Sequence, residues 1–172
     1  MFETEYIFKG KHAEYVKNLH DKYQLMNRNL DVLILAPIIG LLHNRRSEMD
    51  RSQPTETSIF TDQLRSEGKK LSFIYNLVLL LDETDGEISI DDRFQKAFET
   101  SEPKSEEGKK NNHIFNSYVL GGVEILHEKL IAKSEVLTKT QEKIKDLSPE
   151  KKLYIDGVCI DNIYEFLSEL GL

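Results

Sequence analysis

The run from Asp31 to Leu42, DVLILAPIIGLL, constrains this chain most, because every residue after Asp31 is apolar or small. A helix that is apolar on all sides has no face to offer water, so it belongs at the centre of a bundle. A bilayer span needs about 20 apolar residues, and this run stops well short of that. Asp31 reads as its N-cap, a carboxylate that takes up free N–H groups of the first turn. Pro37 lacks a backbone N–H and is expected to kink or restart the helix. Gly40 lets a neighbouring helix come close. The run ends abruptly at His43-Asn44-Arg45-Arg46, whose positive charge complements the C-terminal end of the helix dipole.

Other segments show weaker periodicity. Residues 2–9 are aromatic and partly alternating, a stray strand or an extended arm. Val16, Leu19 and Tyr23 give helical spacing over 11–25. Residues 44–57 read as a polar surface loop. Helical spacing resumes at Ile59, Phe60 and Leu64. Leu71, Phe73, Ile74, Leu77, Val78, Leu80 and Leu81 form a broad apolar face over 70–82, and a short helix carries Phe94, Ala97 and Phe98. Residues 101–111, SEPKSEEGKKN, read as a charged linker.

A long helix is expected over about 112–146. Its first half is apolar on one face, and its second half is polar enough to project into solvent or bind a partner. Gly121-Gly122 in mid-helix costs roughly 1 kcal/mol per glycine relative to alanine. A close crossing, against the Gly40 face, would offset that. Ser148-Pro149 starts a helix, residues 153–160 are a turn or a short strand pair, and Asp161 to Gly171 bounds a last helix. The organisation expected is a helical core domain over 1–147, with the 101–111 linker inside it, and a C-terminal helical appendage over 148–172.

Composition excludes several classes. A hydrophobic fraction of 39% supports one buried core at 172 residues. The net charge of −7 repels a phosphate backbone from the molecule as a whole. Cys159 is the single cysteine, so an intramolecular disulfide and a cysteine zinc site are both excluded. That favours a reducing compartment, and the N-terminus MFETEYIFKGKH does not read as a signal peptide; the expected location is the cytoplasm. No cofactor is expected.

The chemistry-bearing motifs each lack a required residue. LDETDGEISIDD (81–92) places Asp85, Gly86, Ile88 and Asp92 at the fifth, sixth, eighth and twelfth positions of a calcium loop. Its first position is Leu81, which has no oxygen to give, and its last is the short Asp92 rather than Glu. An acidic turn between helices is the plainer reading. Glu124 and His127 have the E-x-x-H spacing of di-iron bundles, but no second copy exists. No Arg is followed by His at the spacing of HEPN-class ribonucleases. Cys159, between Val158 and Ile160, reads as a buried, inert thiol. His43, Arg45, Arg46 and Arg51 remain as a compact basic turn able to meet a phosphate or an acidic partner.

The segments RNLDVLILAPIIGLLHNRR (28–46) and NSYVLGGVEILHEKL (116–130), in that order, resemble small helical accessory proteins encoded beside bacterial DNA-defence operons, those associated with Dnd-type phosphorothioate systems. Tyr118, Gly121, Gly122, Glu124 and Leu126 match a YxxGGxExL-like helix of that group. The resemblance covers half of the chain and carries over no active-site residues. It implies a non-enzymatic accessory role, docked on a larger nuclease, ATPase or DNA-sensing subunit. The expectation is therefore an all-α bundle of roughly five to seven helices with 31–43 at its centre. Its expected function is that of a non-catalytic interaction subunit in bacterial antiviral defence or DNA-modification-linked defence. Nucleic acid would be met only indirectly or through the 43–51 turn. An acidic inhibitor that mimics DNA and a small nuclease using residues 43–46 are the alternatives.

Overall fold

The structure, a computed structural model, describes residues 2, 4–83, 86, 89–98 and 105–132. It is mainly α-helical, as its apolar periodicity predicts. In chain order the elements are β1 (Tyr6–Lys9), α1 (Gly10–Lys17), α2 (Asn29–Leu42), β2 (Glu56–Ile59), α3 (Thr61–Ser66), α4 (Gly68–Leu81), α5 (Ile90–Phe98) and α6 (Glu106–His127). The chain divides into two compact units, Met1–Ile125 and Leu126–Leu172. In the second, the described residues include a π-helical turn at Glu128–Ala132. The boundary expected at 147, the second half of the long helix, the 153–160 strand pair, Cys159 and the last helix lie outside the described residues.

The aromatic N-terminal segment is a strand. β1 pairs antiparallel with β2, Tyr6 opposite Ile59 and Lys9 opposite Glu56. Part of the polar stretch at 44–57 is therefore a strand, and Ile59 closes it as a buried strand residue rather than opening a helix. Phe60, read as apolar helix face, is exposed just before α3. The first helix is also shorter than its spacing suggested. α1 ends at Lys17 and widens into a π-helical turn at Asn18–Lys22. The start of α1 is capped from outside the helix, by Asp50 Oδ2 accepting from the Lys11 N–H at 2.8 Å.

α2 runs unbroken through Pro37. Its start lies at Asn29, so Asp31 sits in the first turn and is not the N-cap. There its carboxylate accepts from the Arg28 guanidinium, at 2.6 Å from Nη2. Leu30, Val32, Leu33, Ala36, Pro37, Ile39 and Gly40 are buried, whereas Leu42 is exposed. The helix is central, but one side of it is only half covered.

The end of α2 follows from local chemistry. Asn44 takes a left-handed conformation, φ 47°, which Asn tolerates better than most residues. The Arg45 N–H then reaches back to the Gly40 carbonyl at 2.8 Å and the Asn44 N–H to the Leu41 carbonyl at 3.0 Å. This pair of bonds is a Schellman motif. It turns the backbone sharply and sends residues 45–47 alongside α6, where the Ser47 N–H donates to the Ser117 carbonyl at 3.0 Å.

α4 buries Leu71, Ile74, Val78 and Leu79 but leaves Phe73 and Leu81 exposed, a narrower face than the sequence suggested. α5 is capped by Ser89, whose Oγ accepts from the Asp92 N–H at 3.1 Å and donates to Asp92 Oδ2 at 2.7 Å. Asp92 is thus the reciprocal partner of the Ser89 cap. Positions 84, 85, 87 and 88 of the calcium-loop motif lie outside the described residues. The charged stretch at 101–111 is not a linker throughout. Ser105 accepts from the Gly108 N–H at 3.0 Å, and α6 starts at Glu106 with two glutamates in its first turn. Those carboxylates favour the positive end of the helix dipole. Among the described residues, no helix is long and apolar enough to cross a membrane.

Candidate functional site

Three glycines control how closely α2 and α6 approach. A β-carbon on Gly122 would land on the Ala36 carbonyl, one on Gly40 on the Tyr118 carbonyl, and one on Gly121 on the Arg45 carbonyl. Backbone therefore meets backbone at the crossing, which leaves no room for any side chain.

That contact places Glu124, one half-turn beyond Gly122, at the centre of a polar cluster. Its Oε1 accepts from Ser47 Oγ at 2.6 Å, from Lys11 Nζ at 2.8 Å and from His12 Nε2 at 3.1 Å. Its Oε2 accepts from Arg45 Nη2 at 3.0 Å and Nε at 3.3 Å. The donors come from α1 and from the turn after α2, so one carboxylate ties three parts of the chain together. The Glu124 side chain is only 7% exposed, and His12 is fully buried. Burial alone pushes the Glu124 carboxyl upward. Hydrogen bonds from Lys11, Ser47 and Arg45 outweigh that and bring it down to about 2. Burial likewise pushes His12 below its ordinary value, against the pull of Glu124. The histidine is thus neutral at pH 7, with Nε2 donating to the carboxylate and Nδ1 buried without a hydrogen-bond partner.

A second buried carboxylate flanks the crossing. Tyr118 Oη donates to Asp82 Oδ1 at 2.9 Å, and Lys96 Nζ lies 3.5 Å from Oδ2. Burial, then the bond to Asp82, push the Tyr118 phenol up to about 12. The Arg46 guanidinium sits over the Tyr118 ring, 5.4 Å from its centroid, and its Nε donates to Ser117 Oγ at 2.7 Å.

The basic turn is accordingly dispersed in role. Arg45 is held by Glu124 and Arg46 by Ser117 and the Tyr118 ring. His43 is exposed as the C-cap of α2, and Arg51 is exposed in the stretch leading to β2. Lys11, His12, Ser47 and the central role of Glu124 were not singled out from the sequence. The available signal was Glu124 itself, a lone carboxylate in the apolar run VLGGVEIL, where burial demands several partners. His127, its E-x-x-H partner, is half-buried, and no group of three or more potential metal ligands occurs among the described residues.

The YxxGGxExL-like pattern thus has a physical content in this chain. Tyr118 holds Asp82, Gly121 and Gly122 admit the backbone of the α2 end and of α2 itself, Glu124 gathers the donors, and Leu126 is buried. No curated protein and no solved structure matches the chain. A family model described as DNA sulphur modification system-associated protein 4 matches residues 9–150, a span that includes the α2–α6 crossing and every donor to Glu124. The likeness to Dnd-associated proteins read from residues 28–46 and 116–130 therefore holds at the level of family: the chain belongs to the DNA sulphur modification system-associated protein 4 family.

Proposed function

We propose that this protein is a non-catalytic assembly subunit of a defence complex linked to DNA sulphur modification, docking on a larger protein. The observation that carries this reading is the outer face of α5. Ile90, Phe94 and Phe98, spaced by four residues, are 81%, 54% and 47% exposed. Phe94 and Phe98 stack on each other, with ring centroids 4.8 Å apart. Single exposed apolar residues need no explanation, but a continuous apolar stripe on one helix face is the usual form of a protein-contact surface.

The polar groups brought together in the core support the same reading. Every donor around Glu124 is oriented towards holding α1, α2 and α6 in register, and Arg45 and Arg46 serve within the fold. That weakens the alternative in which residues 43–46 cut nucleic acid. The test is co-expression with the products of adjacent genes, followed by affinity purification. The expected result is a stable complex with one large neighbour, lost in a Phe94→Glu/Phe98→Glu variant that melts like the parent chain. A lone monomer in the presence of all neighbours would end this proposal.

A further inference from the structure

α4 is apolar on two faces. One holds Leu71, Ile74 and Val78 and is buried. The other holds Phe73, Leu77, Leu80 and Leu81, whose spacing of four, seven and eight residues from Phe73 makes a single stripe along the helix. Phe73 is exposed to 66% and Leu81 to 49%, and Leu77 and Leu80 are half-buried. This stripe is on a different helix from Ile90, Phe94 and Phe98, and burial in the bundle leaves it unused.

The charges at the two ends of α4 run against its own dipole. The first turn carries Lys69 and Lys70 and no carboxylate, and the last turn carries no base. Lys70 pairs with Glu67 at 2.8 Å, and Arg28 reaches Glu67 as well as Asp31. Lys69 is exposed and has no ion-pair partner among the described residues. Over residues 61–70, Arg65, Lys69 and Lys70 against Asp62 and Glu67 leave one positive charge. Arg28 and Asp31 together leave that balance unchanged.

The chain after α4 is acidic. Asp82, Glu83, Asp85, Glu87, Asp91 and Asp92 against Arg93 and Lys96 leave four negative charges over residues 82–96. That balance already includes the pairing of Asp82 with Lys96 and of Glu83 with Arg93. α4 is therefore a helix with a basic start, an apolar outer stripe and an acidic end.

We propose that a second copy of this chain docks on the outer stripe of α4, with the two α4 helices antiparallel about a two-fold axis at Leu77. Phe73 and Leu81 are each four positions from Leu77, so the axis sets Leu77 on its copy and Phe73 on the copy's Leu81. An isologous contact needs such a self-complementary pattern. The same operation brings the basic start of one helix to the acidic end of the other, twice. It also sets each helix's end charges beside the opposite pole of the other's dipole. A parallel pairing would put like charges together at both ends. Four side chains on one helix cover less than the roughly 800 Å² per partner of a standard interface, so the dimer is a reversible one in the micromolar range.

The test is sedimentation equilibrium of the full chain over a wide dilution series, followed by mixing of charge-reversed variants. The parent chain should pass reversibly from monomer to dimer as concentration rises. Leu77→Glu, which sets two carboxylates against each other on the axis, should weaken the dimer by roughly tenfold or more. Phe94→Glu/Phe98→Glu, on α5, should leave it unchanged. Lys69→Glu/Lys70→Glu and Glu83→Lys/Asp85→Lys should each self-associate more weakly than the parent, and an equimolar mixture of the two should form a heterodimer tighter than either homodimer. Lys69, Lys70 and Glu83 are exposed, so this exchange of charges reads the interface even if Leu77→Glu fails to fold. A monomer at every concentration, a dimer that survives Leu77→Glu in a folded chain, or a mixture no tighter than its components would each overturn the proposal. So would a parent chain that dimerises only through Phe94 and Phe98, or one whose α4 stripe is taken by a neighbouring gene product instead of a copy. None of these outcomes bears on docking through α5, which is read from the complex with a larger protein.

Discussion

Glu124 Oε1 and His12 Nε2 lie 3.1 Å apart across 112 residues of sequence, and both side chains are buried. The contact exists because α2 and α6 touch backbone to backbone at their glycines, which brings the start of α1 and the end of α2 within reach of one carboxylate. Its energetics are open to direct measurement.

Acid should unfold the protein in two overlapping stages. His12 has a folded value below its ordinary 6.5, so the unfolded chain binds the extra proton first and stability falls once pH drops below about 6.5. Glu124 is lowered from 4.5 to about 2, so its contribution is complete above pH 4.5 and is lost as pH falls towards 2. A shift of that size corresponds to on the order of 3 kcal/mol. Asp50, held at about 2 by hydrogen bonds from Ser52 and the Lys11 N–H, loses its contribution over the same lower range. Melting temperatures between pH 7.5 and 2.5 should therefore fall less steeply below pH 4.5 in Glu124→Gln than in the parent chain. Equal slopes would show that Glu124 is not the group responsible.

The glycine crossing should reverse the usual ranking of Gly and Ala in helices. Gly122→Ala puts a methyl group on the Ala36 carbonyl, and separating α2 from α6 to admit it should cost about 3 kcal/mol or more. Gly68→Ala, at the start of α4 with nothing within 4 Å, should be neutral or stabilising by up to about 1 kcal/mol. Denaturant unfolding of the two variants gives opposite signs if the crossing is as close as described.

Removing the carboxylate should hurt more than removing any one of its donors. Lys11 and Arg45 are 44% and 45% exposed and can turn to water, so Arg45→Ala should cost about 1 kcal/mol. Glu124→Ala strands the buried His12 and unlocks all three segments, for about 3 kcal/mol. A larger loss in Arg45→Ala than in Glu124→Ala would mean that the arginine holds the turn in some other way.

Tyr118→Phe keeps the ring under Arg46 and deletes only the hydroxyl bound to Asp82. The buried carboxylate then loses its phenol donor, and the expected cost is about 1–3 kcal/mol. Hydrogen exchange should show the loosening centred on the end of α4. Destabilisation spread evenly over the molecule would contradict a local role.

Much of the helical framework is legible in the apolar periodicity. The burial of Leu30 to Gly40, the alternation of Leu71, Ile74 and Val78, and the need for a close approach at Gly121-Gly122 all arise within short windows of sequence. The errors have local causes too. Residues 105–111 read as a linker because their charge density hides a Ser105 cap and an acidic first turn, both of which are helix-start signals. Glu56 and Thr57 read as loop, and Ile59 as helix, because a strand of four with one buried residue carries almost no alternation of its own, and only the pairing with Tyr6–Lys9 makes it a strand.

The sequence by itself determined that this chain is a helical bundle built around residues 31–42, because period and apolarity act between residues three and four apart. It also pointed to a close helix crossing at Gly121-Gly122, because glycine pairs in mid-helix are otherwise unfavourable. What only the tertiary structure decided is where the charges go. Whether Arg45 faces water or Glu124, whether Arg46 meets Ser117, and whether His12 meets Glu124 depend on contacts across 71 to 112 residues. Long-range electrostatics of that kind leaves no periodic trace in the chain.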